Sequence, residues 1–333
     1  MQKGYVIKRI LYTIFIFFIV VTLNFFIPRI GVEDPAQRYY PPQGNMSDIE
    51  YDIVKQLTRE QYGFDVSTFQ QYLRYLSNLL HGDLGTSFQA GSPKVADLIA
   101  ERLPWTLVLS VSTLFIGLVL GLLIGSYAAW KRGRRVDTMV LNASTITTAL
   151  PAFFIALLLS LYLGFEWEWF PAYTDPNMAA SFDWSFRSIS LVAASAALPV
   201  LSMSIGSVVS YAQNTRNSVI AVSGEDFILT ARAKGLPTRQ VLYKHTLRNA
   251  MLPIVTNLGM SVSGLIGGSV VIEQIFNWNG MGTLFLNANN TNDYPLMMGI
   301  MLFLSFFALV ANLVTDLCYC LLDPRVTVGG GRR

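Results

Sequence analysis

Leu103–Trp130, LPWTLVLSVSTLFIGLVLGLLIGSYAAW, carries no charged side chain and stops at the basic run Lys131-Arg132-Gly133-Arg134-Arg135. A bilayer core about 30 Å thick needs roughly 20 mostly apolar residues to cross it as a helix. This stretch therefore predicts a transmembrane helix ending on a basic loop. Working outward, five more charge-free windows have the same character: Ile10–Pro28, Thr138–Phe165, Ser188–Thr215, Asn249–Ile272 and Tyr294–Thr315. A seventh, Gln274–Asn292, holds Asn277, Asn279, Asn287, Asn289, Asn290 and Asn292, and is read as a loop. With 52% hydrophobic and 14% charged residues, the chain is too apolar for an ordinary soluble domain. The expected fold class is an all-α polytopic membrane protein with six transmembrane helices.

Lysine and arginine set the orientation, because their excess marks cytoplasmic loops. Lys3, Lys8 and Arg9 precede the first window, and Lys131 to Arg135 follow the second. Arg216, Arg232, Lys234, Arg239, Lys244 and Arg248 lie between the fourth and fifth, and Arg325, Arg332 and Arg333 end the chain. The alternate loops are acidic or poor in basic residues, so both termini are expected in the cytoplasm. The same rule accounts for the net charge of +3 without any nucleic-acid partner. Residues 1–28 imitate a signal peptide, but the apolar run is long and PRIGVEDP offers no small-x-small cleavage site. They are expected to stay as the first span.

The segment 31–102 is the one sizeable piece expected outside the cell. Its start, DPAQRYYPPQGN, is rich in turn formers, and Ser47–Tyr62 and Thr68–Leu80 have helical spacing. Phe69, Tyr72, Leu73, Leu76 and Leu80 are expected on one face, lying on the membrane surface, receiving a partner, or covering the bundle. Trp167, Trp169, Phe170, Tyr173 and Trp184 read as an interfacial aromatic belt. Pro151 and Pro199 are expected to interrupt and kink the third and fourth spans along the pathway, and Gly259, Gly264, Gly267 and Gly268 thin out the fifth. No Asp, Glu, Lys or Arg falls in the middle of a span, unlike ion-coupled carriers. Energy for transport is thus expected from elsewhere. Cys318 and Cys320 read as packing residues, and His81 and His245 are expected on opposite sides, so no metal site follows.

The basic connector TARAKGLPTRQVLYKHTLRNAMLP, Thr230 to Pro253, reads as helix, break, helix. Ser223-Gly224-Glu225-Asp226 has the capping-box pattern, and Gly235 stands where a left-handed closing residue is wanted. Arg239 to Met251 reads as the second helix. Ala231, Ala233 and Gly235 put small residues at the elbow, where another protein's surface is expected to approach.

With these motifs in view, the chain resembles the permease subunit of ATP-binding-cassette importers, in the dipeptide/oligopeptide/nickel branch. The likeness runs through YVIKRILYTI, GDLGTSF, LIAERLPWTL, TARAKG, KHTLRNAMLP, GGSVVIEQIFNWNGMG, DYPLMMG and DLCYCLLDPRV. The general Glu-Ala-Ala motif of importers is only partly kept. Relative to Gly235 its positions hold Leu229, Thr230 and Ala231, while His245 and Arg248 occupy the places of its Ile and Pro. The resemblance implies a type I importer permease fold and no cofactor bound by this chain. Implied partners are a homologous second permease, two ABC ATPase subunits that use MgATP, an extracytoplasmic substrate-binding protein and membrane lipid. Thr230, Ala231, Arg232, Ala233, Lys234, Gly235 and Leu236 would form the elbow that couples to an ATPase. Glu273 in VVIEQIF matches a family Glu. It would serve an outer gate or binding-protein contact, or else sit as an interfacial carboxylate among water and headgroups. No phosphate-binding loop of the Gly-x-x-x-x-Gly-Lys-Ser/Thr type is present, so the chain is not expected to be an enzyme.

The organisation that follows has an N-terminal span at 1–30, an extracytoplasmic segment at 31–102 and a five-helix core at 103–323, with its connector at 216–250. A cytoplasmic tail at 324–333 ends the chain. Peptide is the default substrate by family frequency, with oligosaccharide or a nickel chelate as alternatives. A membrane-anchored receptor or scaffold acting through 31–102 is the competing reading of another class. A prokaryotic plasma or inner membrane is the expected location.

Overall fold

The computed structural model describes residues 3–30, 40, 43–44, 46–61, 63–89, 91–175, 178, 181–251, 254, 261 and 270–322. Among them there is no strand, only an isolated bridge between Thr86 and Lys94. The helices are α1 (Lys3–Phe26), α2 (Asp48–Gln61), α3 (Thr68–Leu80), α4 (Val95–Trp130), α5 (Arg135–Ala149), α6 (Ala152–Leu159), α7 (Phe186–Ser223) and α8 (Asp226–Ala233). There follow α9, which opens at Thr238–Gln240 and continues helical through 251, then α10 (Val270–Ile275), α11 (Met281–Thr291) and α12 (Tyr294–Leu322).

Among the described residues four apolar stretches are long enough to cross a membrane: Val6–Arg29, Val95–Trp130, Phe186–Ser223 and Tyr294–Leu317. The helical stretches Arg135–Ala149 and Ala152–Glu166, bent by 95° at their junction, make a fifth when counted as one broken span. The break falls where the sequence places it: Leu150 and Pro151 are both extended, and Pro151 precedes the first turn of α6. Pro199 behaves differently. It is buried inside α7, which runs unbroken from Phe186 to Ser223, so the expected interruption there is absent. Most of the fifth window, with Gly259, Gly264, Gly267 and Gly268, lies outside the described residues, as do the tail at 324–333 and the side chains of Cys318 and Cys320.

The seventh window is not simply a loop, because α11 occupies most of it. Met281, Leu284 and Ala288 are buried while Asn287, Asn289 and Asn290 are exposed. The asparagines thus sit on the wet side of a short amphipathic helix rather than dissolving it. At about 1.5 Å per residue its 11 residues fall well short of a bilayer core.

The described residues form two compact units. The first contains residues 1–10, 103–283 and 307–333. One seam within it is a glycine ladder on α4. A Cβ at Gly117 would lie 2.1 Å from Ser207 Oγ, one at Gly121 2.3 Å from Tyr211 Cβ, and one at Gly125 2.3 Å from the Ala212 carbonyl. Only hydrogen at these positions lets α4 and α7 come this close, the small-residue logic of packing in lipid. Gly121→Val is therefore expected to lower stability by about 1–3 kcal/mol through overpacking. Thermal unfolding in detergent checks this, with Gly206→Ala as a neutral control because a Cβ there meets nothing within 4 Å.

Two ion pairs tie distant stretches of this unit. Arg9 bonds Asp316, and Arg216 grips Asp137 through Nε and, at 3.2 Å, through Nη2. Asp137 also accepts the Gly133 amide at 2.8 Å, so one buried carboxylate closes the basic loop between α4 and α5. Ser185 caps α7, and bonds from Ser185 and Ser188 hold the exposed Asp183 carboxyl below its ordinary range. Trp167, Trp169, Tyr173 and Trp184 are exposed, while Phe170 packs against the cluster of Ala156, Leu198, Ile272 and Phe276.

The second unit contains residues 11–102 and 284–306. Ser47 and Glu50 form a true capping box on α2, with Ser47 N donating to Glu50 Oε2 at 2.8 Å and Glu50 N to Ser47 Oγ at 3.3 Å. The α3 helix is turned from its expected face. Tyr72 is buried against Phe25 and Met298, with Tyr75 and Leu76 beside it, whereas Phe69, Leu73 and Leu80 point outward. Asp293 is buried as the cap of α12, accepting from Leu296 N at 3.2 Å, Phe88 N at 3.1 Å and Ser87 Oγ.

Candidate functional site

The connector between α7 and α9 folds as a closed elbow. The capping box expected at Ser223 does not form. The Ser223 hydroxyl instead donates back to the Val219 carbonyl at 2.6 Å, because α7 continues through Ser223, and extended Glu225 precedes α8 with no side-chain cap. The C-terminal end of α8 obeys its local chemistry. Gly235 has φ +75°, its amide bonds the Arg232 carbonyl at 2.9 Å, and the Leu236 amide bonds the Ala231 carbonyl at 3.4 Å. These are the paired bonds of a Schellman ending, and Leu236 adds the hydrophobic contact by packing on Ile228, Ala231 and Val241. No atom lies within 4 Å of a Cβ built at Gly235, so conformation rather than crowding requires glycine.

The predicted elbow residues divide into two groups. Ala231 is buried at 6% exposure inside the Ile228–Val241 cluster, so it supports the turn rather than offering a small surface to a neighbour. Thr230, Arg232, Ala233, Lys234 and Gly235 are exposed and form the rim. Beside them Phe227, Leu229 and Tyr243 expose 45%, 53% and 44% of their surface. The sequence reading missed these three. Their signal was three large apolar side chains in a polar connector, out of phase with the buried positions 228, 231 and 241. Behind the elbow Val219, Leu242 and Ala250 bury one another with Ala129, Val222 and Leu247, which fixes α9 to the end of α7. Within α9 the run Val241–Thr246 is a π turn, and Thr246 Oγ1 bonds the Val241 carbonyl at 3.1 Å.

Glu273 is buried rather than interfacial. It is 0% exposed, with Oε1 accepting from Thr106 Oγ1 at 2.9 Å and Oε2 from the amides of Gly282 at 2.8 Å and Thr283 at 3.1 Å. Those amides open α11, so the carboxylate caps the positive end of that helix. Thr106 in turn accepts from Met281 N at 2.7 Å, and Trp278 Nε1 donates to the Trp105 carbonyl at 2.9 Å. A Cβ at Gly280 would fall 2.4 Å from Glu273 Oε1, and one at Gly282 2.7 Å from Val270 Cα. The pattern EQIFNWNGMG is thus the sequence of one buried node joining α4, α10 and α11. A carboxylate so enclosed meets no bulk water or headgroups, which corrects the interfacial reading of Glu273. Pro151 lies at the bend of the third span and Pro199 within α7; neither belongs to the elbow or to this node. Among the described residues no group of His, Cys, Asp and Glu is arranged to hold a metal ion.

The family described as "Binding-protein-dependent transport system inner membrane component" matches residues 121–328. The oligopeptide transport system permease protein AppB of Bacillus subtilis is 33% identical over 325 residues, covering 98% of this chain and 99% of that protein. The glutathione transport system permease protein GsiC of Escherichia coli K12 is 34% identical over 323 residues, covering 97% and 98%. A solved inward-facing structure of the MetNI methionine ABC transporter aligns with a TM-score of 0.49 and 16% identity, over 68% of this chain and 96% of that one. By the family match and by relatives of this similarity along nearly its whole length, the chain belongs to the binding-protein-dependent transport system inner membrane components, the multi-pass permease subunits of ABC importers.

Proposed function

We propose that this permease pairs with a homologous second permease in a prokaryotic plasma or inner membrane to form a path for short peptides. An extracytoplasmic binding protein hands the peptide over, and two ATPase subunits that consume MgATP drive the cycle. The chain itself is a permease and not an enzyme. Peptide is favoured because relatives named for oligopeptide and glutathione transport match it end to end.

The observation that carries the coupling role is the elbow at Thr230–Leu236. Its Schellman ending holds a rigid turn, and its rim offers Arg232 and Lys234 beside the exposed Phe227, Leu229 and Tyr243. A charged rim around exposed apolar anchors is the composition of a docking site rather than of a solvated loop. Closure of the ATPases on nucleotide would displace the elbows and bias the bundle between two arrangements.

Reconstitution tests this directly. Liposomes holding both permeases and both ATPases, supplied with binding protein and MgATP, are expected to accumulate a labelled tripeptide without regard to ion gradients. Uptake by this chain alone, or uptake that follows a proton gradient and ignores MgATP, overturns the reading. Accumulation of an oligosaccharide or a nickel chelate in place of peptide overturns only the substrate.

A further inference from the structure

The unit formed by residues 11–102 and 284–306 carries a half-open pocket of about 300 Å³. Phe25 and Arg29 at the end of α1, Arg74 and Asn78 on α3, Asp83, and Tyr294 at the start of α12 contribute to its wall. Arg29 is the last residue of the apolar stretch Val6–Arg29. Its Nη1 donates to the Phe25 carbonyl at 2.7 Å and lies 3.1 Å from Met298 Sδ. Its guanidinium stands 3.9 Å over the Phe25 ring and 5.9 Å from that of Tyr294. Nε is buried and makes no hydrogen bond, and no carboxylate pairs with Arg29 among the described residues. Among the described residues the one acid in the wall, Asp83, accepts the Gly85 amide at 2.8 Å, and Arg74 adds a second positive charge.

A half-buried guanidinium held by aromatic faces and one carbonyl meets no anion among the described residues to satisfy its remaining donors. The surroundings point to where that anion comes from. Around the same end of α1, Leu23, Ile27 and Ile30 are exposed at 51%, 51% and 76%. On α3, which lines the cavity with Arg74 and Asn78, Phe69, Leu73 and Leu80 are exposed as well. On α2, Ile49, Ile53 and Leu57 recur every fourth residue, all exposed. Apolar stripes of this kind on short helices are covered by a lipid surface. An arginine closing a span stands at the depth of lipid phosphates, where its guanidinium can snorkel to a phosphate oxygen and donate charge-assisted hydrogen bonds.

We propose that this cavity seats the phosphate of a phospholipid from the leaflet at the Arg29 end of α1. Arg29 supplies the charge-assisted hydrogen bonds, and the exposed faces of α1 and α3 rest on the acyl-chain boundary. The site stands apart from whatever substrate the permease carries.

The test uses the full chain purified from nanodiscs of phosphatidylcholine and phosphatidylglycerol, with retained lipid counted by native mass spectrometry. The wild-type chain is expected to keep a phospholipid through mild detergent. Arg29→Met should lower that occupancy by about tenfold, and Arg29→Lys should restore much of it. Elution of both variants as folded protein on gel filtration separates lost binding from lost structure. Equal lipid retention by wild type and Arg29→Met overturns the proposal. Binding of inorganic phosphate by the lipid-stripped chain through Arg29, with no phospholipid retained, also overturns it and assigns the cavity to a soluble oxyanion.

Discussion

Gly235→Pro is expected to abolish MgATP-driven uptake while leaving the chain inserted in the membrane. Proline fixes φ near −65°, whereas Gly235 sits at +75°. It also deletes the amide that bonds the Arg232 carbonyl at 2.9 Å, and its ring demands extended geometry of Lys234, now the cap of α8. The Schellman ending cannot survive all three changes. The Leu236 contact with Ile228, Ala231 and Val241 would go with it. The loss is local, since no atom approaches a Cβ at this position and the spans do not depend on it. Gly235→Ala grades the effect: a left-handed non-glycine residue costs about 1–2 kcal/mol, so part of the uptake should remain. The measurements are peptide uptake in proteoliposomes, ATPase co-purification and membrane insertion. Normal uptake by the proline variant would remove the elbow from the coupling path.

Glu273→Ala is expected to be the most destabilising single truncation in the first unit. It strands three donors at once, the Thr106 hydroxyl and the amides of Gly282 and Thr283. At about 1–3 kcal/mol for each unsatisfied buried group, the loss is roughly 3 kcal/mol or more. Glu273→Gln keeps an acceptor oxygen but replaces the other with an NH₂ facing donors, so it should fall between alanine and wild type. Thermal unfolding in detergent would show the order. Amide exchange at residues 281–283 would localise the damage to the start of α11. An alanine variant as stable as wild type, but defective in uptake, would instead return Glu273 to a gating role.

Much of the fold is legible in the sequence because membrane spans are written by composition. Charge-free windows locate α4, α7 and α12, and Pro151 locates the 95° bend. Gly235 is legible for a similar reason, since closing a helix in the left-handed region is a property of a few neighbouring residues. What escapes depends on partners far along the chain. Glu273 looks interfacial at the end of an apolar window, but Thr106, its hydrogen-bond donor, is 167 residues away. Ser223 looks like a cap, yet Val219 and Val222 are held by α9 and carry α7 past it. Pro199 looks like a break, but it lies on the buried face with Leu198 and Val200, where packing holds the helix across the missing bond. The α11 helix hides because a window average mixes its dry and wet sides. Ala231 is small for the sake of the inside of the elbow, a matter of helical phase that a short polar connector does not reveal.

The length of α7 has a mechanical consequence. Its 38 residues extend about 57 Å at 1.5 Å per residue, against a bilayer core of about 30 Å. At the Arg216–Ser223 end, Val219 and Val222 are clamped to Leu242 and Ala250 on one side and to Ile228 and Val241 on the other. A sideways thrust delivered to the turn at Gly235 would therefore pass into α7 itself, which farther along is close-packed on α4 at the glycine seam.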